Sequence, residues 1–499
     1  MLGLTHSGLS FVAAAAILVH PAITRLPARG PACNPGDSLN LEIAATTDVH
    51  GHIRGWNYYA DRVDPNLGLA RAATIVDSVR AANPGRVVLV DAGDLLEGTP
   101  LAYVAARMSS VRHNPIIAAM NAMRYDAVTI GNHEFNYGVP YLDSAVAQAE
   151  FPMLAANVSR GANVHAYASY AIVRRAGIDI GMVGATTPGS NLWDASNLAA
   201  AKMHIGAIVP AVRTAVADAR ANGADVIVVV LHSGLDGPPS YDTASTGVAN
   251  ENVAARVAAE VPGINVLVYG HTHRENPGQL IGTTFLIQPR NWATSVAVVT
   301  LPVTCPADRR WLASTATGVI VQSRGHAEDS LVVNAVNQVN AQTLAYVNST
   351  IGTTPDSWHG DSSRMGPTPL INLVLDVERR IAHADIASAS AFDLRAHLGP
   401  GPITVAQIAQ LYPYDNTLRA IRITGAQLKA YLEYSSRYYE TAADRSLVVD
   451  PSVAGYNFDM VSGVHYTIDV SRPVGQRIAR LSYPGKAVAP TDPFTMAIN

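Results

Sequence analysis

The chain has 499 residues, 48% of them hydrophobic and 15% charged, with a formal net charge of −4. The apolar share is enough for two or three domains with sizeable cores, and with no basic run a scaffold for nucleic acid polymers is excluded, whereas a small anionic substrate is not. Two cysteines, Cys33 and Cys305, are too few for a disulfide scaffold, and the sequence leaves open whether they pair.

The first feature in chain order is LSFVAAAAILV (9–19), which is too short to span a membrane but has the length of a signal-peptide apolar core. Residues 1–37 are read as an export leader, although no Lys or Arg precedes the stretch and no clean A-x-A site follows it. The protein is therefore expected in the periplasm or outside the cell, without stable insertion in a membrane.

From about residue 40 a rhythm sets in. Apolar, β-branched runs end in polar clusters: LEIAATTD (41–48), RVVLVDAGD (86–94), DAVTIGNHE (126–134), DIGMVGATTP (179–188), DVIVVVLHSG (225–234) and INVLVYGHTH (264–273). Such runs suit strands covered on both faces. Helix-like stretches lie between them. In residues 68–85, Leu69, Ala72, Ala73, Val76 and Val79 share one face and NPG stops the pattern. The alternation predicts an α/β sheet with helical cover over 38–305. The pattern breaks near 303–325, a polar, helix-compatible segment follows over 328–352, and 306–354 is the expected linker, with 328–352 as its hinge. A second, smaller α/β domain is expected over 355–499, with the chain ending inside an apparent strand.

The coordinating groups stand at the ends of the apolar runs, the edge of an open α/β sheet where ligands bind. TTDVHG supplies Asp48 and His50; DAGD supplies Asp94; GNHE supplies Asn132 and His133; LHSG supplies His232; GHTH supplies His271 and His273. A single strand-end histidine is usually structural, and DAGD alone reads as a turn. Five such clusters in order point to chemistry. Mixed nitrogen and oxygen donors suit Mn, Zn, Co, Fe or Ni better than Ca or Mg. They exceed the needs of one ion, so two divalent metal ions sharing a bridge are expected.

As an ordered set, these five blocks resemble the signature of the calcineurin-like metallophosphoesterases, and the second domain resembles the C-terminal domain of 5′-nucleotidases. Together they are similar to the two-domain 5′-nucleotidase and 2′,3′-cyclic-nucleotide phosphodiesterase family. The resemblance implies an N-terminal calcineurin-like β-sandwich flanked by helices, linked by a helix to a smaller domain that binds the base. It implies that Asp48, His50 and His273 hold one metal, that Asn132, His232 and His271 hold the other, and that Asp94 bridges them. It places His133 off the metals, facing the phosphate, while a metal-activated water attacks phosphorus. Glu134 supports the loop. Many 5′-nucleotidases of the family carry an acid three residues after that histidine; Asn136 stands there in this chain. GNHEFNYG is similar to the cyclic-nucleotide phosphodiesterase branch, and Asn136 is read as the catalytic partner of His133.

In the second domain the resemblance points to Tyr414 in YPYDN, and to Tyr456 or Phe458 in YNFDM, as the aromatic pair that sandwiches the base. Arg395 falls where a substrate-contacting arginine is expected, although Ser388, Ala389 and Ser390 replace the usual Asn-Gly-Gly run. The reading is a dinuclear phosphoesterase for 2′,3′-cyclic nucleotides and 3′-nucleotides. A 5′-nucleotidase acting on 5′-nucleotides or UDP-sugars, and a nucleotide-binding protein without turnover, are the alternatives.

Overall fold

The computed structural model describes residues 33–109, 113–161, 164–308, 310–412 and 417–498. The leader expected over 1–37 therefore lies, apart from 33–37, outside the described residues.

The apolar runs form two stacked sheets. In the first, Leu312–Ala313, Ser295–Thr304, Ser38–Thr46, Val87–Asp91, Ala127–Thr129 and Met153–Leu154 lie side by side in that order, and Thr317–Gln322 also pairs with Ser295–Thr304. In the second the order is Asn276–Ile281, Thr284–Gln288, Val266–Tyr269, Val226–His232, Ile178–Thr186 and Tyr170–Arg175. The strands that lead to the polar clusters run parallel within each sheet. Alternation assigns their two faces. Leu41, Ile43, Val88 and Val90 meet Ile180, Met182, Val228 and Val268 between the sheets. Ala44 and Leu89 face the helix Leu69–Ala82, and Ile227, Val229 and Leu231 face the helix Ile208–Ala221. Both faces are buried, which explains why the strands read as unbroken apolar runs. The result is the expected sandwich flanked by helices.

The connector expected over 306–354 is corrected. Its strands Leu312–Ala313 and Thr317–Gln322 extend the first sheet. Its helix, Ser330–Val347, is capped by Asp329 and buries Val332, Val336, Val339 and Val347 in the core of the first domain. Those four residues keep helical spacing, but the Asn and Gln between them give the segment a polar look. Residues 330–347 of the segment are therefore a helix docked on the first domain.

Cys33 and Cys305 form a disulfide, with Cα atoms 6.0 Å apart across 272 residues of sequence. It ties the segment before the first strand to the end of Ser295–Thr304. Closing so long a loop is worth about 2–5 kcal/mol. Replacing both cysteines by serine is expected to lower the thermal midpoint by several degrees, measured by calorimetry; an unchanged midpoint would show that the crosslink carries no stability.

In the second domain, Arg419–Thr424, Pro493–Ile498, Ile386–Ser390 and Asp459–Ser462 form a sheet in that order. The helices Pro369–Ile381 and Gly425–Ser435 pack on it. Ser388 and Ser390, in the place of the Asn-Gly-Gly run, are buried strand residues. Their hydroxyls bond Tyr431, and the Tyr456 carbonyl and Asp459 carboxylate, respectively. Arg477 is fully buried and donates to the carbonyls of Arg472, Ser436 and Tyr439.

Candidate metal centre

Five loops at the C-terminal edges of the sandwich strands converge. Asp48, His50, Asp94, His271 and His273 all take positive φ, at 49, 48, 62, 77 and 55°. This region is uncommon for non-glycine residues, and each such position stores about 1–3 kcal/mol of strain unless its surroundings hold it. Here they do. The Asp48 carboxylate accepts the Thr47 hydroxyl at 2.6 Å and the His271 N–H at 3.1 Å. Glu134, fully buried, accepts the backbone N–H groups of Asp94, Leu95, Leu96 and Gly131 at 2.9, 2.5, 3.1 and 2.6 Å. It thus pins the Asp94 loop to the Asn132–His133 loop and is not itself a donor to the cluster. Gly131 is needed for the approach of these loops, because a Cβ there would run into the Asp94 carboxylate.

Asp48, His50 and His273 bring one donor atom each to within 4.8 Å of one another, and so do Asp94, His232 and His271. Asp94 also lies within that distance of His50 and His133. Asn132 joins the second group, its Oδ1 2.9 Å from His232 Nε2. The tautomers follow from the backbone. The Nδ1 atoms of His50 and His232 face the carbonyls of Glu97 and Ala92 at 2.9 and 2.8 Å. A carbonyl can only accept, so Nδ1 carries the hydrogen and the neutral ring presents the lone pair of Nε2. His50 Nε2 is 3.1 Å from His273 Nε2, and His232 Nε2 is 3.0 Å from Asp94 Oδ2. With Nδ1–H of His232 on a carbonyl, the Nε2 lone pair and the Asp94 carboxylate can meet only with positive charge between them. Where no metal supplies it, a proton does: burial pushes His232 down, but the Asp94 charge prevails and raises it to about 9. Burial also pushes the Asp94 carboxyl up, yet His232, His133 and His50 hold it well below the usual range. Burial, with the neighbouring His133 and His273, drives His50 far down against the pull of Asp94. The donor set fits divalent ions that favour imidazole and carboxylate.

His133 stands at the rim, its side chain 38% exposed. Its backbone N–H donates to Asp94 Oδ1 at 2.8 Å. Its Nδ1 meets two oxygens, Asn136 Oδ1 at 2.6 Å and Glu97 Oε2 at 3.1 Å. Burial opposes its charge, but Asp94 and Glu97 raise it to about 10. The Asn136 amide in turn donates to Asp194 Oδ1 at 3.0 Å. Sequence reading does not single out Glu97 or Asp194. The signal available for Glu97 is an acid three residues after Asp94 in GDLLEG.

The expected nucleotide-contacting residues divide. Tyr456, 61% exposed, and Arg395, ion-paired to Asp393, line a cleft of about 880 Å³. Tyr59 and Trp292 of the first domain and Arg364 and Phe392 of the second line it as well. Trp292 connects the cleft to the cluster, stacking on His52 and meeting His273 edge-on with ring centres 6.5 Å apart. Phe458 is corrected. It is 4% exposed, its ring held by contacts with Tyr438 and Tyr439 in the core, whereas Tyr456 is left in the cleft. Tyr414 lies outside the described residues.

Comparison with known proteins decides the family. The calcineurin-like phosphoesterase family matches residues 41–275, and the 5′-nucleotidase C-terminal domain matches residues 350–499. The 2′,3′-cyclic-nucleotide 2′-phosphodiesterase/3′-nucleotidase of Haemophilus influenzae is 30% identical over 92% of this chain and 79% of its own. The chain belongs to the family of metallophosphoesterases that joins these two domains. The trifunctional nucleotide phosphoesterase YfkN of Bacillus subtilis is 29% identical over 92% of the chain, which spans 35% of YfkN's length. A crystal structure of the YfkN phosphoesterase superposes with a TM-score of 0.58, at 29% identity, over 63% of this chain and all of that one. The 5′-nucleotidase precursor of Thermus thermophilus shares the fold, with a TM-score of 0.61 at 24% identity over 92% of this chain and 89% of its own. Like these metallophosphoesterases, the protein is a phosphoric ester hydrolase, and the family implies divalent metals.

Proposed function

We propose that this metallophosphoesterase hydrolyses 2′,3′-cyclic nucleotides and 3′-nucleotides at a dinuclear centre. The observation that carries the reading is the convergence of His50 and His232 on one buried carboxylate, their Nε2 atoms 3.7 and 3.0 Å from Asp94 Oδ2, with His271 and His273 beside them. Asp48, His50 and His273 are assigned to one ion, Asn132, His232 and His271 to the other, and Asp94 to the bridge. Bound there, divalent ions supply a nucleophilic water near neutral pH and the positive charge that a phosphate ester needs in its transition state.

The remaining work falls to the chain's own groups. With Nδ1 of His133 engaged, Nε2 is left to face the phosphate and to pass a proton to the departing oxygen. The side chain of Asn136 orients that ring. Tyr456, with its ring exposed in the cleft, is assigned to the base, where stacking is worth about 1–3 kcal/mol. Arg395 on the same cleft is assigned to a phosphate or ribose oxygen. The names of the Haemophilus and Salmonella relatives support the substrate class. Export is part of the proposal, supported by the Cys33–Cys305 disulfide, which persists in oxidising compartments. Among the described residues no helix is long and apolar enough to cross a membrane.

The test is release of phosphate and nucleoside from 2′,3′-cyclic AMP, 3′-AMP and 5′-AMP, run in parallel on metal-stripped protein refilled with manganese. The cyclic and 3′ substrates are expected to lead. A lead for 5′-AMP would reassign the chain to the 5′-nucleotidase branch, and turnover of none would leave a nucleotide-binding protein.

A further inference from the structure

We propose that Glu97 is the positioning residue for His133, supplying from another loop the carboxylate that position 136 lacks. The inference rests on the role given to His133 above and deepens it.

Two oxygens meet the Nδ1 of His133, and the first is fixed from behind. The Asn136 amide cannot turn over without losing its donor bond to Asp194, so its Oδ1 faces the ring. Glu97 Oε2 approaches the same nitrogen at 3.1 Å from a side chain only 17% exposed. Two acceptors at one nitrogen place the hydrogen on Nδ1 and leave Nε2 pointing outward. They differ in kind. The amide oxygen takes the shorter contact but is neutral, whereas the Glu97 carboxylate brings the charge that favours a protonated ring.

Glu97 is also locked by its own backbone. Its carbonyl accepts the Nδ1–H of His50 at 2.9 Å, and the next residue, Gly98, has φ 124° and lies against the His50 ring, where a Cβ would clash. One residue therefore aims two imidazoles: the main chain sets His50 and the side chain sets His133. The rings of these histidines meet edge to face with centres 5.0 Å apart, so a shift of one is felt by the other. The dependence of His133 on a carboxylate is thereby met across 36 residues of sequence rather than at the neighbouring turn.

The experiment compares kcat, KM and bound metal for the parent, Glu97→Gln, Glu97→Ala and His133→Asn, with 2′,3′-cyclic AMP and manganese. Glu97→Ala is expected to lower kcat by about 10- to 100-fold with KM within about threefold and the metal complement intact. The near-isosteric Glu97→Gln, which keeps an acceptor but not the charge, is expected to lose about tenfold. A carboxylate restored on the other side of the ring supplies the rescue. Asn136→Asp is added to Glu97→Ala together with Asp194→Asn, so that two carboxylates do not face each other, and this is expected to recover most of kcat. If His133→Asn falls by about 10²- to 10⁴-fold while both Glu97 variants keep the parental kcat, Glu97 does not position it and only this inference fails. If His133→Asn itself keeps the parental rate, the role of His133 fails and the inference goes with it. A Glu97→Ala loss that the rescue leaves unmoved, accompanied by loss of metal, would mark a structural role and overturn the inference.

Discussion

Glu134→Ala is expected to dismantle the centre rather than to slow its chemistry. The residue sits beside His133 in sequence, yet its carboxylate holds four backbone N–H groups on two loops and none of the cluster donors. Burial and the nearby Asp94 charge raise its carboxyl above the usual range, and the backbone bonds counter them. Removing it strands buried donors at about 1–3 kcal/mol each. Even after partial relaxation, a loss of about 4 kcal/mol or more is expected, a large part of the 5–15 kcal/mol typical of a folded domain. Calorimetry with metal analysis checks this: a midpoint lower by about 8 °C or more, with both ions lost, is the expected result. A variant with the parental midpoint and full metal content would show that the loops do not depend on Glu134.

Asp94→Asn should leave the fold standing and remove the catalyst. The amide keeps an oxygen, so the bond from the His133 N–H survives. It loses the charge that His50, His133 and His232 surround, and with it the proposed bridge. A loss of about 10³-fold or more in kcat, equivalent to roughly 4 kcal/mol, is expected, with no more than one ion retained per chain. Two tightly held ions and a near-parental rate would remove Asp94 from the centre.

The donors could be picked out because they follow apolar runs at the C-terminal edges of the two sheets, and the runs declare themselves by burial on both faces. What the sequence concealed is tertiary. Nothing local announces that Asp48, His50 and Asp94 take positive φ; the contacts that hold them come from other loops. The contact of Glu97 with His133 depends on how two strand ends are brought together by Glu134. The apolar stripe of Ser330–Val347 was diluted by amides, so a packed helix read as a connector. Tyr456 and Phe458 stand two residues apart, and only the packing of Tyr438 and Tyr439 decides which is buried. The pairing of Cys33 with Cys305 has no local signature either.

The most direct test is a titration of metal-stripped protein with manganese, following bound metal and hydrolysis of 2′,3′-cyclic AMP in the same samples. Two ions per chain are predicted, with the rate rising as the second site fills. Full hydrolysis without metal, or saturation of the rate by a single ion, would contradict a dinuclear centre bridged by Asp94.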